Sequence, residues 1–152
     1  MIVQHLLSPL FLLAMLSTAC AGIGCSLPYE NILAAGGFSG LMDCPDSGQA
    51  SAKVVGEIVT FGHKYAILDY RYETKPTAEG VAHGGQRILI IQDDRRFLGQ
   101  YALSSPPVHT VSIRGTSIVI DVPANHGNAI TFDNDGPPAR AYLGQESVQL
   151  FK

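Results

Sequence analysis

Lys53-Val54-Val55-Gly56-Glu57-Ile58-Val59-Thr60-Phe61, Gly62-His63-Lys64, Tyr65-Ala66-Ile67-Leu68-Asp69-Tyr70-Arg71-Tyr72 is the stretch whose reading decides the fold. Two runs rich in β-branched and aromatic residues flank three residues that include a glycine, the pattern of a β-hairpin with a short loop. The second run does not alternate cleanly, because Ile67 is followed by Leu68, with Tyr70 and Tyr72 beyond. A strand open to water on one face alternates apolar with polar residues, so this run predicts cover on one or both faces of the sheet.

The same texture continues downstream. Arg87–Ile91 and Phe97–Leu103 flank a charged turn, Asp93-Asp94-Arg95-Arg96. After Ser104-Ser105-Pro106-Pro107 come His109–Ile113, a turn at Arg114-Gly115-Thr116, and Ser117–Val122. Ala129–Phe132 and Ala141–Leu143 precede a last run at Ser147–Phe151. Strand centres recur roughly every 8–14 residues, and no amphipathic helical pattern interrupts them. Residues 52–152 are therefore expected to form one all-β domain, an antiparallel meander closing as a sandwich or barrel. Ile88 to Val122 also follows the strand order of one propeller blade. With no second copy at a fixed period, the propeller is the minor alternative.

Upstream of Ala52 the pattern is lost. Residues 22–51 read as an irregular segment with a weak helical signal over Tyr29–Ala35, broken by Gly36-Gly37-Phe38-Ser39-Gly40 and Pro45-Asp46-Ser47-Gly48. Before it, the first 29 residues contain no Asp, Glu, Lys or Arg. Leu10–Leu16 is an apolar run followed by Ser17-Thr18-Ala19-Cys20-Ala21, which fits an export signal ending at a small-residue cleavage site. Leu6–Ala21 is shorter than the roughly 20 apolar residues of a spanning helix and contains Ser, Pro and Thr. Residues 1–21 are read as the signal, and cleavage after Ala21 leaves a soluble chain from Gly22. Leu16-Ser17-Thr18-Ala19-Cys20 also resembles a bacterial lipoprotein signal, with Ser17 where Leu is usual, and implies Cys20 as the lipidated residue in that alternative.

Both routes remove Cys20 from thiol pairing. Of the three cysteines, Cys25 and Cys44 remain. In an oxidising compartment they are expected to form a structural disulfide. They belong to no C-x-x-C motif, which argues against a redox or metal-binding pair.

The formal net charge of −3 belongs wholly to the part after the signal. A binder of nucleic-acid backbones needs a basic face, so nucleic acid is excluded as the expected partner. Runs of like charge never exceed two residues, which leaves no polybasic membrane patch. Membrane attachment is expected only through a lipid on Cys20.

Candidate chemistry is sparse. His63, His83, His109 and His126 form no H-x-H or H-x-x-x-H pair, so no metal site and no cofactor are expected. Val81-Ala82-His83-Gly84-Gly85 resembles the His-Gly-Gly oxyanion loop of lipases and esterases. That motif acts beside a G-x-S-x-G elbow, and Gly37-Phe38-Ser39-Gly40-Leu41 does not supply one. Asp133-Asn134-Asp135-Gly136 resembles part of a calcium loop, but Thr131 and Tyr142 stand where the EF-hand register needs acids. It reads as a turn.

The binding residues expected from the sequence are Asp93, Asp94, Arg95 and Arg96 at a hairpin tip, with Asn125, His126 and Asn128 in a compact turn. His83 joins them from the long polar connection Glu73–Gly85. The leading reading is an exported, non-catalytic binding module of the cell envelope, an inhibitor or immunity protein acting on an envelope enzyme. A small hydrolase using a loop His with Asp or Ser, and a structural surface lipoprotein, are the alternatives.

Overall fold

The computed structural model describes residues 28–38, 50–74, 83–103, 109–122 and 125–152. Strands make up 69% of what is described, in antiparallel sheets with almost no helix, so the fold is all-β as expected. The expected signal at 1–21, Cys20, and the Cys25–Cys44 disulfide lie outside the described residues.

One short helix, α1 (Glu30–Ala35), precedes nine strands: β1 (Ala50–Thr60), β2 (His63–Thr74), β3 (His83–Gln92), β4 (Arg96–Ala102), β5 (Thr110–Arg114), β6 (Ser117–Val122), β7 (Asn125–Thr131), β8 (Arg140–Leu143) and β9 (Glu146–Phe151). They form a six-stranded sheet in the order β1-β2-β3-β4-β9-β8 and a three-stranded sheet in the order β5-β6-β7. β5 lies beside β1 and β7 beside β8, so the sheets meet along both edges without ladder pairing among the described residues. The result is a flattened sandwich on the way to a barrel. A propeller blade is not what forms. β3 and β4 belong to one sheet and β5 and β6 to the other, so Ile88–Val122 does not build one blade.

Between the sheets lies the main core. Tyr65 and Ile67 of β2, Ile88 and Ile90 of β3 and Tyr101 of β4 face Ile118 and Ile120 of β6 and Ile130 of β7. The Tyr65 and Phe132 rings meet edge to face at 5.2 Å. On the opposite face of the large sheet, Ala66, Leu68, Leu89 and Ile91 pack under Leu33 of α1. Phe38 closes this second core, its ring 5.3 Å from Tyr70 and 5.4 Å from Phe97. The irregular alternation of β2 therefore has a simple cause: successive side chains enter two different cores.

Turn chemistry sets the registers. Gly115, at φ 59°, and Gly144, at φ 64°, each open a two-residue connection, the place where a hairpin turn favours glycine. Asp93 and Asp94 hold φ near 51° and 54°, and the Arg95 amide donates to the Gln92 carbonyl at 3.1 Å. This is a type I′ geometry, which Asp tolerates better than most side chains. Asp133–Gly136 is a tight turn, as read, with the Asp135 amide donating to the Asp133 carboxylate at 2.9 Å.

Several boundaries move. β1 starts at Ala50, and α1 with its packing gives residues 29–38 a defined place in a stretch expected to be irregular. Glu73 and Thr74 extend β2, and His83–Gly85 open β3, because the two strands stay paired out to Thr74↔His83. Asn125–Asn128 is not a turn. It is the start of β7, with Asn125 opposite Val122 and Asn128 opposite Ile120. His63 is the first residue of β2 rather than part of a turn, which leaves Phe61-Gly62 as the connection.

Candidate functional site

That last shift matters, because it places Phe61 at the hairpin tip. Thr60 pairs with His63, and Gly62 takes φ 88°, so the chain reverses within two residues. Phe61 is left 84% exposed and Val59 67% exposed. A bulge between Val54 and Gly56 flips the alternation of β1. As a result Ile58 enters the core while Glu57 and Val59 face away from it.

The charged turn of Asp93–Arg96 stands beside this tip and is tied to it. Asp93 accepts the Lys64 amide at 2.9 Å and the His63 Nδ1 at 2.9 Å, and its own amide donates to the Lys64 carbonyl at 2.7 Å. Asp94 accepts the Lys64 ammonium and, at 2.9 Å, the Tyr29 hydroxyl. Lys64 also pairs with Glu57 at 3.2 Å. The Lys64 backbone N–H, then the His63 side chain, holds the Asp93 carboxyl below the usual carboxylate range. The Lys64 ammonium, then the Tyr29 hydroxyl, does the same for Asp94. Hydrogen bonds to the Asp94 carboxylate first, and then to that of Glu57, raise the Lys64 ammonium. Burial, followed by the Asp94 hydrogen bond, raises the Tyr29 phenol.

The two hairpin tips thus form one surface. An apolar knob of Phe61 and Val59 sits next to a rim in which Glu57, Asp93 and Asp94 are balanced by Lys64, Arg95 and Arg96. Arg95 and Arg96 are exposed, and the Arg96 guanidinium donates to the Gln92 side chain.

The remaining sequence-derived residues lie elsewhere. His83 begins β3 and the Asp93 turn follows its end, so roughly 30 Å of strand separates them at about 3.3 Å per residue. Asn125, His126 and Asn128 belong to the other sheet. The structure joins Asp93, Asp94, Arg95 and Arg96 into one place and does not bring His83 or the β7 residues to it.

A second feature lies at the other end of β1. Here β1 and β5 bound a cleft of about 690 Å³, lined by Ser51, Lys53, Val55, Asp69, Arg71 and Thr110–Ile113. Its floor is a polar network. Arg71 donates through Nε at 3.1 Å and Nη2 at 3.0 Å to Asp69 Oδ2, and through Nη2 to the His109 carbonyl at 2.8 Å. The buried Gln86 amide donates to Asp69 at 2.7 Å and to the His109 carbonyl at 2.9 Å, and accepts the His109 amide at 3.1 Å.

No known protein family, curated protein or solved structure matches the chain.

His63 and Asp93 form a His–carboxylate pair at 2.9 Å. Among the described residues no group of three or more His, Cys, Asp or Glu stands together as a metal site, and no helix is long and apolar enough to cross a membrane.

Phe61 is the residue the sequence reading missed. Its signal was present in Ile58-Val59-Thr60-Phe61-Gly62, where apolar residues on both faces of the strand run up to a turn glycine.

Proposed function

We propose that this chain is an exported, non-catalytic binding module of the cell envelope, which docks on a protein partner through the paired hairpin tips and acts as its inhibitor or immunity protein. The observation that carries the reading is Phe61, 84% exposed on a two-residue turn at the end of a long hairpin. An aromatic anchor held on rigid strands loses little conformational freedom on binding, and a ring of polar residues around it matches the anatomy of interface hot spots. The tie from Asp93 and Asp94 to His63, Lys64 and Tyr29 supports it by fixing the rim in place before any partner arrives.

The test is capture from envelope extract with the tagged full chain, alongside a Val59→Ser/Phe61→Ser variant. Removing an aromatic anchor weakens binding by about 2 kcal/mol or more. One stoichiometric enzyme is expected on the parent chain, inhibited by it and lost from the variant. Equal retention by the variant, or no retained enzyme on either, defeats the reading.

A further inference from the structure

The seam between β1 and β5 has two open edges. Among the described strands β1 pairs only with β2, and β5 only with β6, so both seam edges carry main-chain N–H and C=O groups with no ladder partner. Such edges are templates for a further strand. The two strands touch at Gly56, where an added Cβ would come 3.0 Å from Ile113 Cδ1. Beside that contact they leave the cleft of about 690 Å³, within the range of ligand sites. At about 3.3 Å per residue, Ser51–Val55 offers length for an extended segment of about five residues.

The cleft is held open from below. Gln86 and Arg71 fix the His109 backbone, and with it the start of β5, to β3 and β2. Its charge is also defined. The Asp69 carboxylate is taken up by Arg71 and Gln86. Lys53 is exposed on the cleft wall and forms no ion pair among the described residues. Lys53 therefore sets a positive charge on the cleft wall, in a chain whose formal net charge is −3. Val55, Val111 and Ile113 supply the apolar part of the lining.

We propose that the β1–β5 cleft binds an extended acidic peptide, which adds as a strand along the Ser51–Val55 edge and sets a carboxylate against Lys53. Main-chain pairing would give the affinity and the Lys53 contact the preference for acid, as in other cases of strand addition. This site is separate from the tip and does not depend on it.

The test uses the full chain and the blocked pentapeptide acetyl-Val-Glu-Val-Glu-Val-amide, followed by calorimetry and amide hydrogen exchange. Saturable binding is expected, with added protection at residues 51–55 and 110–113. Lys53→Glu, or lysine in place of glutamate in the peptide, should weaken binding roughly tenfold or more. Methylating alternate peptide nitrogens removes main-chain donors without changing charge, and a loss of about tenfold is expected there too. Phe61→Ser, far along β1, should leave the affinity within about twofold. Free glutamate or the N-methylated peptide binding as well as the parent would overturn the proposal in favour of a simple anion site. Absence of saturable binding at millimolar peptide would overturn it outright.

Discussion

β3 and β6 are built from similar residues and live in different surroundings. In β3 Ile88, Leu89, Ile90 and Ile91 are all fully buried, because alternate side chains enter the inter-sheet core and the core under α1. In β6 Ile118 and Ile120 are buried while Ser117, Val119 and Asp121 are only partly covered, because no helix lies on the outer face of the small sheet among the described residues. An unbroken apolar run therefore reports two covers and an alternating one reports a single cover. The difference also divides the labour. The doubly covered centre of the large sheet carries stability, while its hairpin ends and open edge are left to present groups to solvent.

The strongest way to break this comparison is to truncate each cover in turn. Ile90→Ala should cost about 2–5 kcal/mol in urea or thermal unfolding, as should Leu89→Ala, whereas Val119→Ala should cost about 1 kcal/mol or less. If Leu89→Ala proved as mild as Val119→Ala, the core under α1 would be incidental and the two-cover account would fail. A smaller effect is expected where the sheets are tied by polar groups. Gln86→Ala removes the buried amide that joins Asp69 to the His109 backbone, and should cost about 1–3 kcal/mol. Hydrogen exchange should then show β5 opening before β3, and simultaneous opening would mean that Gln86 does not couple the sheets.

The mildest probe is pH, read at the tip. Asp93 and Asp94 both titrate below the ordinary carboxylate value of 3.8, so their links to Lys64, His63 and Tyr29 favour the charged, folded form. Their contribution is fully present above 3.8 and is lost as pH falls through the lowered folded values. The Lys64 and Asp93 amides should exchange faster below that point while the Leu89 and Ile90 amides remain protected. Loosening of both regions together would show that the tip is not an independent unit.

Much of the large sheet was legible because its signals are local. The β1–β2 and β3–β4 hairpins follow from residue order and turn residues alone, and the broken alternation of β2 signalled cover on one or both faces without saying which. The division into two sheets was not legible, since nothing in Ile88–Val122 states that β4 and β5 part company. β7 escaped because Asn125-His126-Gly127-Asn128, with no apolar alternation, has the composition of a turn. Of the site, the Asp93–Arg96 turn was visible as a dense run of charge. Its union with Phe61 depends on a bulge at Gly56 and a pairing across 30 positions, from His63 to Asp93, and no short window contains both. The β1–β5 cleft is less visible still, being a gap between strands that the sequence keeps far apart.

The position of β9 sets a timetable. Phe151 and Leu150 pair with Gln100 and Tyr101, so a strand made after β1 to β8 is the one that covers the outer edge of β4 and carries β8 into the sheet. A nascent chain that already holds β1 to β7 still shows β4 as a bare edge, open to neighbouring copies. The sheet is closed on that side only when β9 is in place, so a chain that lacks Leu150 and Phe151 would present a sticky edge at β4.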